Sequence, residues 1–141
     1  MLSGASTEGR TAGRRRAMDI ARTDVATVFP EQPMREAQSE MMGSDIDLCL
    51  VLNERGVLLG RVDGMTEGAH AAAPVADVMR LAPGTTKPEA FLHDVVDNLR
   101  GTRFGRTILT AREPHEAGRY LGVLLLSDAE RVLKENANLG R

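Results

Sequence analysis

The chain has 141 residues, of which 42% are hydrophobic and 3% aromatic, and its formal net charge is −2. This length and apolar content suit one compact domain or two small halves. The charge provides no global attraction to nucleic acid or to an anionic membrane surface. The single cysteine, Cys49, excludes an internal disulfide, and no apolar run approaches the roughly 18 residues that cross a bilayer. We therefore expect a cytoplasmic protein with neither a nucleic-acid nor a membrane partner.

The N-terminal segment is predicted to be a disordered basic tail over residues 1–21. It opens with MLSGASTEGRTAGRRRA, which is rich in Gly, Ser, Thr and Arg and has almost nothing to bury. Such a composition cannot offset the entropy lost on ordering. Met18 directly follows this stretch, so translation from Met1 and from Met18 are both left open.

The remainder of the chain repeats itself, and the repeat predicts the fold. An offset of 53 residues aligns Pro30 with Pro83 and Glu36 with Glu89. Further on, residues 48–52 match 106–110 and residues 56–60 match 118–122. The first copy is predicted to cover 22–70, and the second copy, with a linker helix, to cover 71–141.

Each copy predicts the same elements in chain order. A short extended segment, Thr27-Val28 or Arg80-Leu81, ends at a proline. Helices follow near residues 33–42 and 87–99, and the second has an apolar stripe at helical spacing, namely Phe91, Leu92, Val95, Val96 and Leu99. Two strands then form a hairpin, and the first hairpin has the turn-forming sequence Asn53-Glu54-Arg55-Gly56.

Two further helices complete the prediction. The linker carries a short helix around Val75–Met79. The final helix is predicted to begin at Ser127-Asp128-Ala129-Glu130, which has a capping-box pattern. The expected fold is therefore α+β, made of two β-α-β-β-α units.

These segments resemble the CBS motif, named after cystathionine β-synthase. The resemblance rests on the first-copy pattern Thr27-Val28-x-Pro30…Leu50-Val51-Leu52-Asn53-x-x-Gly56 and on the second-copy pattern Gly122-Val123-Leu124-Leu125-Leu126-Ser127-Asp128. It implies two CBS motifs packed about a pseudo-two-fold axis. It also implies a homodimer that regulates a protein partner, and an adenosine-containing ligand in the cleft between motifs.

The resemblance also implies the ligand residues. Asp128 would accept hydrogen bonds from both ribose hydroxyls, with Ser127 beside it and Thr27 facing it from the first motif. Val51 would line the adenine slot, and Arg131, one helical turn after Asp128, would contact phosphate.

Two features of the motif weigh against a competent site. Leu125 stands where the family has a hydroxyl residue. The opposite cleft would combine Arg80, Asp63 and Thr66, a poor match to the motif. Asp128 also has a structural interpretation, because Ser and Asp are favoured at helix starts as caps and first-turn acids.

Three functions remain open from the sequence. The first is a regulatory module that binds AMP, ADP, ATP or S-adenosylmethionine, and the second is a ligand-free scaffold for dimerisation or protein docking. The third is a small enzyme that uses Asp63, Asp128 and histidines. The histidines, His70, His93 and His115, lack metal-site spacing, so we expect no metal. The sequence has no Cys–His pairing and no GxSxG motif for nucleophilic catalysis, and the resemblance implies regulation without chemistry, so we expect no cofactor and no enzymatic activity.

Overall fold

The computed structural model describes residues 15–63, 70–82, 84–102 and 105–139. Two three-stranded sheets, ordered β1-β2-β3 and β4-β5-β6, combine with helices and confirm the predicted α+β class. The elements in chain order are α1 (Ala17–Ile20), β1 (Ala26–Val28), α2 (Met34–Met42), β2 (Leu48–Leu52), β3 (Leu58–Asp63), α3 (Val75–Val78), β4 (Thr85–Thr86), α4 (Leu92–Arg100), β5 (Arg106–Thr110), β6 (Tyr120–Leu125) and α5 (Leu126–Leu139).

The repeat is present, but its offset is 58 residues rather than 53 over the first half of each copy. Helices α1, α2 and strand β2 recur as α3, α4 and β5 at that spacing. Thr27 pairs with Leu50 in parallel register, and Thr85 pairs with Ile108 in the same way. The counterpart of Pro30 is therefore Pro88, not Pro83. The offset of 53 was wrong because prolines occur on both sides of β4.

The same error displaced the second predicted helix. It was expected to begin near residue 87, but α4 begins at Leu92 because Thr85–Thr86 is a strand and a turn follows it. The apolar stripe is confirmed for the four residues that lie within the helix, all of which are buried: Leu92, Val95, Val96 and Leu99. Phe91 precedes the helix as its N-cap residue and is partly exposed.

The predicted tail is wrong for residues 15–21, which are folded. Ala17 is fully buried, and its amide donates to the carbonyl of Ala90 at 2.8 Å. The amide of Leu92 donates to the carbonyl of Arg15 at 2.7 Å. Ala17 in the core, the partly buried Met18, Ile20 and Ala21 packed against it, and these backbone bonds anchor a segment that was predicted to be disordered. Residues 1–14 lie outside the described residues.

The chain divides into two compact units that do not follow the predicted ranges 22–70 and 71–141. The first unit contains the described residues of Met1–Arg22, Gly84–Leu109 and Leu121–Arg141. The second contains those of Thr23–Pro83 and Thr110–Tyr120. Each unit therefore joins the leading helix of one copy to the sheet of the other copy. Local sequence patterns do not reveal such an exchange.

Each unit has its own hydrophobic core. In the first unit it consists of Ala17, Leu92, Val95, Val96, Leu99, Leu109, Leu124 and Ala129. In the second it consists of Ala26, Val28, Met34, Ala37, Cys49, Val51, Val62 and Val75. Burial raises the pKa of Cys49 to about 12, so this thiol stays protonated and acts as a core residue.

Two glycines let the leading segments approach the final strand of each unit. A Cβ on Gly60 would lie 2.8 Å from the Arg80 carbonyl oxygen and 2.8 Å from Sδ of Met79. A Cβ on Gly122 would lie 3.1 Å from both Ala21 Cβ and the Arg22 carbonyl oxygen. Close backbone approach is therefore the physical reason for glycine at positions 60 and 122.

We expect Ala17→Asp to lower stability by about 3–5 kcal/mol, because it places an unpaired carboxylate in the first core. Thermal unfolding followed by circular dichroism measures this loss. Ala76→Asp is the matched control, since Ala76 is exposed in α3, the helix equivalent to α1. Equal melting temperatures for the two variants would show that Ala17 is not anchored.

We expect Gly60→Ala to destabilise the protein by about 1–3 kcal/mol through overpacking. Gly84→Ala serves as the control, since its added Cβ meets nothing within 4 Å. Urea titration of both variants gives the comparison. A neutral Gly60→Ala would contradict the close approach of Met79 and Arg80.

Candidate functional site

The candidate site is built on the first turn of α5. This helix begins at Leu126 directly after β6 ends at Leu125, one residue earlier than predicted. The amide of Leu126 donates to the carbonyl of Gly105 at 2.8 Å. Ser127 therefore lies inside the first turn rather than at the cap, with an exposed side chain, whereas Asp128 is a buried first-turn acid.

Asp128 is held by two arginines of the same unit. Its Oδ2 accepts from Nε of Arg22 at 2.8 Å, and its Oδ1 accepts from Nη2 of Arg22 at 3.2 Å. Arg131 adds a longer bond from Nη2 to Oδ1 at 3.4 Å. A bidentate pair of this kind combines charge with fixed geometry and is among the stronger polar contacts in proteins.

The electrostatics keep Asp128 ionised. The hydrogen bond from Arg22 lowers the pKa of this carboxyl group, and the charges of Arg22 and Arg131 act in the same direction. Burial opposes them but does not cancel them. At neutral pH the site therefore presents a buried carboxylate, with 8% of the side chain exposed, beside two guanidinium groups.

Arg22 was missed by the sequence reasoning. Its amide donates to the carbonyl of Val123 at 2.8 Å, and the amide of Val123 donates back to its carbonyl at 2.9 Å. These two bonds fix the backbone of Arg22 against β6, so its guanidinium reaches Asp128. The signal that was available is the offset of 58, which aligns Arg22 with Arg80 at the end of the equivalent leading segment.

The structure brings Ser127, Asp128 and Arg131 together on α5, and Arg131 is largely exposed. Thr27 and Val51 belong to the second unit. Thr27 is exposed on β1, whereas Val51 is fully buried in the second core. Their roles beside a ligand stay predictions.

The second unit pairs its acid in a different way. Asp63 and Arg61 form a buried ion pair at the end of β3, where their side chains lie on the same face of the strand. The backbone of Arg61 also pairs with that of Arg80. Asp63 is therefore bound to Arg61, and Thr66, the third residue of the predicted opposite cleft, lies outside the described residues.

A surface cavity of about 580 Å³ lies in the second unit. Its lining combines the half-exposed ring of Phe29 with side chains of both charges, the full set being Phe29, Pro30, Glu31, Asn53, Glu54 and Arg55. The Asn53 side chain accepts from the amides of Arg55 and Val57, so it stabilises the hairpin turn.

Metal-ligating residues do not cluster in the part of the chain that the structure describes. No group of three or more His, Cys, Asp or Glu side chains is placed to hold an ion there. His93 instead forms an exposed contact with Asp94 at 3.1 Å. Across the described ranges, no helix is long and apolar enough to cross a membrane.

Comparison with family models gives a match over the first copy of the repeat. Residues 17–63 match the family model described as the CBS domain. The match begins at Ala17 and so includes α1, which the predicted tail had excluded. No curated protein matches the sequence.

Solved structures show the same fold. The cytosolic domain of the Mg²⁺ channel MgtE in complex with ATP superposes with a TM-score of 0.71 at 17% identity, covering 83% of this chain and 48% of that one. CBSX2 in complex with AMP gives 0.69 at 17% identity, covering 85% and 96%. The CBS domains of a transcriptional regulator from Streptococcus pneumoniae give 0.70 at 12% identity, covering 83% and 98%. The chain thus spans about half of the MgtE domain and nearly all of the other two.

We expect Asp128→Asn to lower stability most above pH 5 and least in acid. The pKa of Asp128 is lowered in the folded state, so its ion pair stabilises the protein above the unfolded pKa of about 3.9. That contribution disappears as the pH falls through the lowered folded pKa. Urea denaturation at several pH values measures the difference from wild type.

The matched control for this pH series is Asp94→Asn, because Asp94 is exposed on α4. Its effect should be small at every pH. An Asp128→Asn difference that stayed constant down to pH 2 would contradict the ion-pair assignment.

Proposed function

We propose that this CBS-domain protein is a regulatory module that binds an adenosine-containing nucleotide at Asp128 and catalyses no reaction. The observation that carries the proposal is the ionised, buried Asp128 in the first turn of the helix that follows β6. Two proteins of similar fold were solved in complex with ATP and with AMP. From these two complexes we infer the class of ligand proposed for this chain, an adenosine-containing molecule.

The chemistry of the helix start suits such a ligand. A carboxylate can accept from two vicinal hydroxyl groups at once, which selects ribose over deoxyribose. Arg131, with 64% of its side chain exposed, is free to turn its guanidinium towards phosphate while staying one helical turn from Asp128. The amino end of α5, a helix of 14 residues, also favours an anionic group.

The candidate ligands are AMP, ADP, ATP and S-adenosylmethionine, and none is required as a catalytic cofactor. Thr27 and Val51 complete the site only in the prediction from the resemblance. We further expect a homodimer with a protein partner. Large apolar side chains left exposed in the described residues support that expectation, among them Met42 and Leu81.

A ligand-free scaffold is the second candidate, and a specific observation favours it. Both oxygens of Asp128 are already bonded by arginines, so the carboxylate is satisfied without a ligand. Leu125 also ends β6 where the family's hydroxyl residue is expected. In this alternative Asp128 has only a structural role.

Isothermal titration calorimetry with AMP, ADP, ATP and S-adenosylmethionine should show binding of at least one of them to the wild type, and Asp128→Ala should weaken it. Losing charge-assisted hydrogen bonds costs about 1.5–3 kcal/mol, which is one to two orders of magnitude in affinity. Asp94→Ala, an exposed acid of the same unit, should leave the affinity unchanged.

Ligand variants sharpen the same test. The 2′-deoxy form of a bound nucleotide should bind at least tenfold more weakly than the ribose form. Leu125→Thr should strengthen phosphate-bearing ligands over adenosine by restoring the family's hydroxyl. If Asp128→Ala lowers the melting temperature but the wild type binds none of the four ligands, the scaffold function replaces the sensor.

A further inference from the structure

We infer that Arg22 is an internal competitor of the nucleotide, so that the Arg22–Asp128 ion pair sets the affinity of the site. This inference rests on the function proposed above and adds its regulation. It comes from the geometry around one carboxylate. A ligand diol and the Arg22 guanidinium require the same two oxygens.

The acceptor sites of Asp128, together with its burial, explain why Arg22 and a ribose diol compete for it. An ionised carboxylate offers about four lone-pair sites. Arg22 uses one on each oxygen through Nε and Nη2, and Arg131 uses a second one on Oδ1. The side chain is only 8% exposed, so a ligand has little further access. One site remains on Oδ2, and a turn of Arg131 towards phosphate frees a second site on Oδ1. Because Arg22 covers both oxygens and the carboxylate is almost fully buried, two ribose hydroxyls are expected to reach it only when Arg22 moves.

Arg22 is able to leave without unfolding its surroundings. The backbone of Arg22 is held against β6 by the two hydrogen bonds with Val123, which do not involve the Arg22 side chain. The side chain itself is 34% exposed, so its released guanidinium can be solvated by water. The displacement therefore moves one side chain and leaves the leading segment in place.

Arg131 does not compete to the same extent. It makes one bond, at 3.4 Å, and is 64% exposed, whereas Arg22 makes two shorter bonds. Arg131 can keep its place or turn to phosphate as the ligand enters. The competition is therefore specific to the residue from the leading segment.

The expected effect on ligand affinity follows from the fraction of molecules that are able to bind. When only a fraction of molecules has the binding-competent arrangement, the observed dissociation constant is the intrinsic one divided by that fraction. The ion pair keeps Asp128 occupied in most molecules. Removing the Arg22 guanidinium makes every molecule competent, and the observed affinity should then rise.

Arg22→Met tests this directly, since methionine keeps an unbranched apolar stem and removes the donors. Calorimetry with adenosine and with AMP should give about tenfold tighter binding than wild type. Adenosine has no phosphate, so a gain with it cannot arise from altered phosphate contacts. Arg22→Lys keeps the charge without the bidentate fork, and its affinity should fall between the two.

Arg100→Met is the matched control. Arg100 lies in α4 and binds Glu130 of α5, the helix that also contains Asp128. Arg100 does not contact Asp128, so removing its guanidinium should leave the ligand affinity unchanged. Melting temperatures of all variants, measured in parallel, report folding. A merely structural Arg22 would lower stability and affinity together, whereas a competitor lowers stability and raises affinity.

The outcomes separate this inference from the proposed function. Tighter binding by Arg22→Met than by the wild type supports the competition. Binding by both proteins with equal or weaker affinity in a folded Arg22→Met overturns the competition and leaves the nucleotide site intact. Binding by neither overturns the proposed function, and the competition with it.

Discussion

Paired backbone bonds join the leading segment of each copy to the final strand of a sheet. Arg22 pairs with Val123 in the first unit, and Arg80 pairs with Arg61 in the second. The pairing requires close approach, and it explains the glycines at positions 60 and 122, where a Cβ would meet the backbone carbonyl of the arginine. These bonds hold short helices of four residues each, and apolar side chains of both helices pack in or against the cores, among them Ala17, Ile20, Val75 and Val78.

The ion pair at the candidate site depends on this pairing. Arg22 reaches Asp128 across 106 positions of sequence because its backbone is fixed on β6, immediately before the helix that carries the acid. The second unit satisfies its acid locally, since Arg61 and Asp63 are two residues apart on one face of β3. Two copies with the same fold therefore present their carboxylates differently. A separable partner holds Asp128, whereas a neighbour on the same strand holds Asp63.

This asymmetry gives the regulatory proposal its physical basis. A carboxylate that is exposed and unpaired would bind weakly to many donors. One that is paired with a neighbouring residue of its own strand would bind no ligand. Asp128 is intermediate between these cases, because the side chain of its partner Arg22 is 34% exposed to solvent. The free energy of the ion pair is then available to tune ligand affinity. In the scaffold alternative the same ion pair acts only to fasten the leading segment.

The sequence by itself determined the local elements and the type of fold. Apolar spacing identified α4 through Leu92, Val95, Val96 and Leu99, and the hairpin glycines recurred visibly in both copies. The resemblance to the CBS motif also predicted Asp128 as a ligand residue, a role that stays a proposal. Patterns of this kind succeed because they depend on neighbours within a few residues, where helical and strand periodicity operate.

Only the tertiary structure decided where residues 15–22 lie, which copy each leading helix joins, and what Asp128 binds. Composition predicted a tail there, but Ala17 fills a core formed by residues more than 70 positions away. The sequence does not distinguish Arg22 from the other arginines, whereas the structure shows its backbone hydrogen-bonded to Val123. These features rest on long-range contacts whose energy comes from packing and hydrogen bonding between distant segments, and no local pattern records them.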